Sequence, residues 1–280
     1  MQWFIVNGEV VPAHEARLHV SDLCLLRGYG LFDFFLVKRG LPLFVEDHLS
    51  RFFHSAERLG IAPPLTREGL AAEIGRLIAL NAISEGAIKL LLTGGYAEDG
   101  FSPGAPNLVL LAQSYKVPSP EQYQAGVNLL LFRYTRDLPD VKTVNYAQVL
   151  ALQPALKAAG AADVLWHDGE VISESSRSNV FVLTGGVLRT PARNILAGVT
   201  RKQVLALARE FTSVEESDVS LASLAEAREV FMTSSTKRVL AVTRLDGKPV
   251  GDGRPGALTL ELAKRLEAHV AAYLEAAAQR

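Results

Sequence analysis

The chain contains 280 residues, of which 49% are hydrophobic and 21% are charged, and its formal net charge at pH 7 is −1. This length suffices for one large domain or for two domains with ample cores. Acidic and basic residues are interleaved without a dense basic stretch, so we expect small-molecule partners and no nucleic acid.

Compartment and metal content are predicted from the same composition. The one cysteine, Cys24, excludes an internal disulfide, and nothing near it has the spacing of metal ligands, so no metal site is predicted. The N-terminal segment lacks the basic region and the cleavage site of a signal peptide. No apolar run approaches the roughly 20 residues that cross a bilayer. These features predict a cytoplasmic protein without membrane contact.

The first half is predicted to begin with a hairpin, "WFIVNG" followed by "EVVPA", in which Asn7 and Gly8 form the turn. The amphipathic segment "EDHLSRFFHSAERLG" predicts a helix with Asp47 as its N-cap and Gly60 at its end. A second helix, "TREGLAAEIGRLIALNAI", is predicted to be capped by Thr66. Two strand-like runs follow, "AIKLLLTGG" and "NLVLLAQ".

A shift in composition at "SYKVPSPE" predicts a domain boundary. The prolines there indicate an interdomain linker over residues 114–121. We therefore expect a small N-terminal domain, residues 1–113, and a larger C-terminal domain, residues 122–280.

The second half alternates predicted strands with helices. "VNLLLFR" and "EVFMTSS" are predicted strands, and "DVLWHDGEVISES" and "NVFVLTGGVLRTP" are predicted hairpins. "YAQVLALQPALKAAG" predicts a helix broken before Pro154, "GVTRKQVLALAREF" predicts another, and a long helix ends the chain. The mixture lacks a regular βαβ repeat, which favours two α+β domains over a doubly wound sheet.

Lys142 stands in the apolar run "DVKTV", where a lysine is paired, reaches water or is reactive. A solvent-exposed amine at a strand end is the simpler interpretation. Glu174 follows in "SESSRSN", 32 residues later, which is far enough for a helix and a returning strand to bring both side chains to one cleft. The alternative is that residues 174–179 are a polar loop.

The segment "ILAGVTRKQVL" predicts a helix start with unpartnered amides near Val199 and Thr200, an arrangement that binds phosphate. Thr200 as an ordinary N-cap is the alternative. "MTSSTKRV" offers a second hydroxyl-rich turn, and Arg51 is either a bidentate phosphate ligand or a solvated arginine. A lysine, a carboxylate, a phosphate cradle and an arginine are together what pyridoxal 5′-phosphate requires.

The order "VKTVNY", "SESSRSNVF", "ILAGVTR" and "TSST" resembles the class IV aminotransferases, the pyridoxal-phosphate enzymes of fold type IV. D-amino-acid aminotransferases, branched-chain aminotransferases and aminodeoxychorismate lyases belong to that family. The N-terminal "SDLCLLRGYGLFDFF" and the first predicted helix also match it, so the resemblance covers nearly the whole chain. It implies an α/β fold of two domains with the cofactor between them, and a homodimer whose N-terminal loops reach the partner's active site.

The resemblance also implies roles for individual residues. Lys142 would hold the cofactor as a Schiff base, and Glu174 would pair with its pyridine nitrogen. The implied phosphate contacts are Arg51, Val199, Thr200, Ser235 and Thr236. The implied contacts along the ring are Tyr146, at the phenolic oxygen, and Ser175 and Ser176.

Substrate choice departs from the best-known pattern of the family. D-amino-acid aminotransferases place an Arg-x-His pair where this chain has residues 93–96, Thr-Gly-Gly-Tyr. Arg27 and Arg177 lie beside cofactor motifs and would suit the substrate α-carboxylate, unless they form local salt bridges. We therefore predict transamination between a D-amino acid and a 2-keto acid. Branched-chain L-amino-acid transamination, aminodeoxychorismate lyase activity and cofactor binding without turnover are the alternatives, and the intact set of cofactor residues argues against the last.

Overall fold

The computed structural model describes residues 1–279, which form two compact units. Unit 1 comprises residues 1–115, 141–145 and the described residues from 273 onward. Unit 2 comprises residues 116–140 and 146–272. No helix in the described part of the chain has both the length and the apolar character needed to cross a membrane.

Unit 1 is built on a sheet of antiparallel strands. Its elements are β1 (Trp3–Val6), β2 (Glu9–Pro12), α1 (Leu23–Arg27), β3 (Gly30–Lys38), β4 (Leu41–Pro42), α2 (Val45–Leu59), α3 (Arg67–Leu80), β5 (Glu85–Thr93) and β6 (Leu108–Gln113). Among these residues the strand order is β2-β1-β6-β5-β3-β4. The predicted β1–β2 hairpin is confirmed, because Asn7 and Gly8 take the positive φ angles, 52° and 85°, that a tight hairpin turn requires.

The two longer helices among α1, α2 and α3 are α2 and α3, and both bury apolar faces in the core of the sheet. Phe52 and Leu49 of α2 and Leu77 of α3 are fully buried there. The predicted cap of α3 is confirmed, since the Thr66 side chain accepts a hydrogen bond from the Gly69 N–H at 3.2 Å. The predicted cap of α2 is wrong: Phe44 is the N-cap. Asp47 lies inside the first turn instead, where a carboxylate favours the positive end of the helix dipole.

Residues 141–145 belong to unit 1 and not to the domain predicted for them, because they pair with β3. The Phe32 N–H donates to the Lys142 carbonyl at 3.0 Å, and the Val144 N–H donates to the Gly30 carbonyl at 3.1 Å. Tyr273 is also part of unit 1, since its ring contacts Phe44 at 4.7 Å between centroids. No local pattern of residues indicated either return of the chain.

Unit 2 carries the remaining elements, except that the last of them belongs to unit 1 from Tyr273 onward. They are α4 (Pro120–Ala125), β7 (Val127–Arg133), α5 (Ala147–Ala151), α6 (Gln153–Ala158), β8 (Asp163–His167), β9 (Val171–Ser175), β10 (Asn179–Thr184), β11 (Val187–Thr190), α7 (Val199–Ala208), β12 (Val214–Glu216), β13 (Val219–Ser220), α8 (Leu221–Ala225), β14 (Glu229–Ser234), β15 (Arg238–Leu245), β16 (Lys248–Pro249) and α9 (Ala257–Ala278). The break predicted before Pro154 is confirmed, because α5 ends at Ala151 and α6 begins at Gln153. Residues 120 and 121 of the predicted linker lie in α4.

The large sheet of unit 2 is mixed, with described strands in the order β12-β11-β10-β14-β15-β7-β8-β9-β13 and with β16 beside β15. Neighbours β15 and β7, β7 and β8, and β11 and β12 run parallel. Phe181 of β10 stacks on Phe231 of β14, with ring centroids 4.9 Å apart, in a core that includes residues of α7 and α9. This core fixes β10 and β14, whose ends carry several of the predicted site residues.

Candidate active site

Lys142 is anchored by its backbone and partly buried. Its N–H donates to Ser55 Oγ at 3.3 Å, in addition to the pairing of its carbonyl with β3. Its Nζ lies 4.7 Å from the centroid of the Phe32 ring. Lys89 Nζ lies 4.6 Å from the centroid of the same ring, and burial lowers the pKa of Lys89. Lys142 is therefore not a loose amine at a strand end.

Arg51 belongs to a buried cluster of charged groups in unit 1. Its Nε and Nη2 each donate to one oxygen of the Asp33 carboxylate at 2.9 Å, and His48 Nδ1 lies 2.7 Å from Asp33 Oδ1. The Asp33 side chain is fully buried. Burial opposes ionisation of this carboxyl, but Arg51 and His48 outweigh it and hold the pKa of Asp33 well below its usual range. Arg51 is thus oriented by a carboxylate that sequence reasoning missed.

Glu174 is the last residue but one of β9, and three groups bind its carboxylate. Arg136 Nε donates to Oε1 at 3.0 Å, while the Leu196 N–H and Asn179 Nδ2 donate to Oε2 at 3.0 Å and 3.3 Å. Only 5% of the residue is exposed. A Cβ at Gly198 would lie 1.9 Å from Asn179 Oδ1, so glycine is required for this close approach. Glu174 therefore has a defined position in β9, and the polar turn between the two strands is confined to residues 176–178.

The turn between β9 and β10 contains buried hydroxyl groups. Ser176 Oγ donates to Asp163 Oδ1 at 2.5 Å. Ser175 Oγ has no hydrogen-bond partner among the described residues although it is buried, and the same is true of Thr233 Oγ1 on β14. A buried polar atom without a partner is a costly arrangement, and such atoms suit a bound polar ligand.

The predicted helix start after Leu196 is present as α7. Its N-cap is Gly198, which offers no side-chain hydrogen bond to the first turn. Thr200 lies inside the helix, so the interpretation of Thr200 as the N-cap is wrong. Val199 is 5% exposed and Thr200 partly buried. Because the amides of a first helical turn lack partners within the helix and the dipole favours negative charge, this end of α7 is suited to a phosphate.

Tyr146, Ser235 and Thr236 are also placed in unit 2. Tyr146 precedes α5, and burial raises its pKa, with the charges of Arg136 and Glu174 acting on it as well. Ser235 and Thr236 are partly buried in the turn between β14 and β15. Tyr146 at the start of a helix and the two hydroxyl residues in a turn agree with the local structure predicted from the sequence.

The two arginines proposed for the substrate are exposed. Arg27 ends α1 and donates from Nη1 to the Leu26 carbonyl at 3.1 Å. Arg177 stands at the tip of the β9–β10 turn. Within residues 1–279 neither guanidinium forms an ion pair with a carboxylate, which removes the support for the local salt-bridge alternative. The described residues also contain no cluster of side chains that could hold a metal ion.

Comparisons with known proteins identify the family of this chain. Residues 30–245 match the family model for amino-transferase class IV. A D-alanine aminotransferase of Staphylococcus aureus (strain COL) is 31% identical over 98% of this chain and 99% of its own length. The branched-chain amino acid aminotransferase of Escherichia coli has a similar structure, with a TM-score of 0.87 and 25% identity over 95% of this chain and 94% of that one. A hypothetical aminotransferase of Mycobacterium tuberculosis in its PLP-bound form has a TM-score of 0.81 and 24% identity over 96% and 98% of the two chains.

Proposed function

We propose that this chain, which belongs to the class IV aminotransferases, moves an amino group between a D-amino acid and a 2-keto acid. The chain is a pyridoxal-phosphate-dependent aminotransferase. A D-amino acid as the substrate is supported by the near-full-length alignment of this chain with a D-alanine aminotransferase, at 31% identity. The structural similarity to a branched-chain aminotransferase supports transamination of branched-chain L-amino acids as the alternative.

The described residues fit the chemical groups of pyridoxal phosphate. The uncapped start of α7, with Val199 and Thr200, suits the phosphate, together with Arg51. The buried hydroxyl of Ser175 offers a polar contact that nothing in the described residues uses. We propose that the other contacts are Lys142, Tyr146, Glu174, Ser176, Ser235 and Thr236. In this proposal Lys142 is the residue that would bind the cofactor as a Schiff base.

The proposed mechanism assigns a proton to Lys142 and a fixed charge to Glu174. When bound, pyridoxal phosphate supplies a sink for the electrons of the substrate Cα–H bond. The Lys142 amine would act as the general base that accepts the substrate Cα proton, and as the general acid when that proton is given back. Glu174, held by Arg136 and Asn179, would hold the pyridine nitrogen of the cofactor and would favour its protonated form. Across the complete reaction, the amino group of the amino acid would pass to a second keto acid, and Lys142 would move the proton in both halves of the exchange.

We propose that Arg27 and Arg177 bind the substrate α-carboxylate. Their exposure and their lack of ion pairs in the described structure support this role. Guanidinium groups bind carboxylates in a planar, bidentate manner, which also orients the Cα–H bond that must break. The Arg-x-His pair of the better-known D-amino-acid enzymes is absent from residues 93–96, so another carboxylate ligand is required.

We also propose a cytoplasmic homodimer that acts on small amino and keto acids, without nucleic-acid or membrane partners. Support for the dimer comes from unit 1, where Leu25 on α1 is 69% exposed, and Val20 and Phe101, on two loops, are 67% and 77% exposed. Exposed apolar side chains of this kind mark interaction surfaces. Analytical ultracentrifugation tests the dimer, and Leu25→Asp is expected to shift the protein towards monomer. A wild-type monomer would contradict this proposal.

The decisive experiment on function is a set of spectral half-reactions with matched D- and L-amino acids. We expect D-alanine and D-glutamate to convert the cofactor chromophore much faster than L-leucine and L-valine. The reverse order would establish the branched-chain alternative. Release of pyruvate from aminodeoxychorismate without a keto acid would indicate the lyase, and a chromophore unchanged by every amino acid would indicate cofactor binding alone.

A further inference from the structure

The turn that carries Arg177 is held on both sides by a buried ion pair with no role in the mechanism above. Asp163 Oδ1 accepts a hydrogen bond from Ser176 Oγ at 2.5 Å, and its Oδ2 lies 3.0 Å from Lys237 Nζ. Lys237 Nζ also donates to Ser178 Oγ at 2.9 Å. The neighbours of Arg177 on either side are therefore each bound to one partner of the same ion pair.

The ion pair is built into the scaffold of unit 2. Asp163 is the first residue of β8, and Lys237 lies in the turn between β14 and β15, directly after Ser235 and Thr236. The Lys237 carbonyl accepts a hydrogen bond from the Tyr123 hydroxyl at 3.0 Å. The side chains of Asp163 and Lys237 are only 2% and 13% exposed. The pair thus connects two rigid parts of the sheet to the tip of the β9–β10 turn.

Stability alone is a weak explanation for this pair. Desolvation of two charges offsets most of their attraction, so a buried ion pair contributes little net stability compared with apolar side chains. Burial lowers the pKa of Lys237 against the opposing effect of the Asp163 charge, which is the expected signature of that desolvation. What the pair does provide is geometry, because each partner makes further hydrogen bonds in a fixed direction.

We propose that Asp163 and Lys237 are positioning residues that fix the β9–β10 turn and thereby hold Arg177 for the α-carboxylate of the substrate. This inference rests on the role of Arg177 proposed above. An arginine side chain loses rotamer entropy when it is fixed, and motion of its backbone adds to that cost. Holding Ser176 and Ser178 removes the backbone contribution before the substrate binds.

The test compares a substrate that has the carboxylate with one that lacks it. Single-turnover half-reactions of the holoenzyme are measured with D-alanine and with D-alaninamide, in which a neutral amide replaces the carboxylate. We expect Lys237→Met to weaken the apparent Kd for D-alanine by about 10- to 100-fold, or about 1.4–2.7 kcal/mol. The apparent Kd for D-alaninamide should stay within about twofold. Equal weakening for both compounds would mean a general disruption of the fold and would overturn the inference.

A double-mutant cycle and an amide-exchange measurement separate positioning from other effects. If Lys237 acts through Arg177, Lys237→Met should have no further effect on D-alanine in the Arg177→Ala background. An undiminished effect there would contradict the inference. The Ser175 N–H donates to the Ser178 carbonyl at 2.8 Å, so its exchange should accelerate in Lys237→Met and remain unchanged in Arg177→Ala. Unchanged exchange in Lys237→Met would also overturn the inference.

Controls keep the result decisive. Arg193→Met breaks an exposed ion pair with Asp218 in the same unit and should change neither Kd. If Lys237→Met does not fold, Ser178→Ala removes one of its hydrogen bonds and should have a smaller effect of the same kind. Loss of D-alanine affinity in Arg177→Ala but not in the Lys237 and Ser178 variants would refute only the present inference. No effect of Arg177→Ala would refute the proposed role of Arg177 and this inference with it.

Discussion

Arg136 donates from Nε to Glu174 Oε1 at 3.0 Å, and its Nη2 donates to the carbonyl of Pro139. Pro139 precedes Lys142 by three residues, so one guanidinium binds both the proposed carboxylate partner of the cofactor and the chain that leads to the proposed Schiff-base lysine. Glu174 therefore already has an ion-pair partner within the protein. A hydrogen bond from the pyridine nitrogen would join this network, which already holds Glu174 in place without it.

Glu174→Gln tests the carboxylate. The amide keeps the shape of the side chain and its contact with the Leu196 N–H, but it cannot supply the negative charge that keeps the pyridine nitrogen protonated. We expect the cofactor to remain bound and the half-reaction to slow by two orders of magnitude or more. Each tenfold decrease in rate corresponds to about 1.4 kcal/mol of activation free energy. Stopped-flow spectroscopy separates this rate from substrate affinity. Glu170→Gln is the exposed control, and wild-type rates in Glu174→Gln would return Glu174 to a structural role.

Lys142 is tested by reduction with borohydride. The purified protein should be yellow, and reduction should abolish the absorption band and fix the cofactor to Lys142. Lys142→Ala should lose this link and nearly all turnover, while Arg51 and Thr200 still allow phosphate binding. Lys89, which contacts the same Phe32 ring, is the matched control: Lys89→Met should keep the covalent link. Peptide mapping that located the label on Lys89 would refute the assignment.

Asp33→Asn tests the cluster that orients Arg51. Removing one partner of a buried ion pair typically costs about 3–5 kcal/mol, so we expect a lower free energy of unfolding at pH 7 and weaker binding of pyridoxal phosphate. The folded-state pKa of Asp33 lies below the unfolded value of about 3.9, so its contribution is complete above that value and is lost as the pH falls towards the folded pKa.

The difference in stability between wild type and Asp33→Asn should therefore be constant from pH 7 to about pH 5 and shrink below about pH 4. Urea unfolding at several pH values measures it, and Asp137→Asn provides an exposed control. A difference that stayed the same at low pH would show that the Asp33 charge is not the source of the effect.

The contrast between predicted and unpredicted features has a physical basis. Turn and cap signals are local, and so the Asn7–Gly8 hairpin and the Thr66 cap followed from a few adjacent residues. β3 was missed because "GLFDFFLVK" is apolar on both faces of the strand and lacks the alternation of a half-buried strand. The signal available there was Asp33, a charge inside an apolar run, which is the same anomaly that drew attention to Lys142.

The missed residues of the site depend on contacts across long stretches of chain. Arg136 and Glu174 are in contact although they are 38 residues apart in the sequence, and Lys237 and Asp163 are 74 residues apart. Neither pair has a spacing that helix or strand periodicity can indicate, because their proximity is created by the order of strands in the sheet. The motifs of the family located the catalytic candidates, but not the groups that hold them.

Arg27 and Arg177 provide the last test, which concerns both the carboxylate and stereochemistry. If the two guanidinium groups bind the α-carboxylate, loss of either leaves that charge with half of its partners. Such a loss costs on the order of 2–4 kcal/mol, or about 30- to 1000-fold in kcat/KM. Arg27→Ala and Arg177→Ala should affect D-alanine and D-glutamate alike, because both present the same α-carboxylate. An arginine that bound the side chain would impair D-glutamate and spare D-alanine. Arg254→Ala, at an exposed position of unit 2, is the control and should leave kcat/KM for D-alanine and for D-glutamate unchanged. Faster turnover of L-leucine and L-valine than of the D-amino acids by the wild type would refute the D-specific proposal.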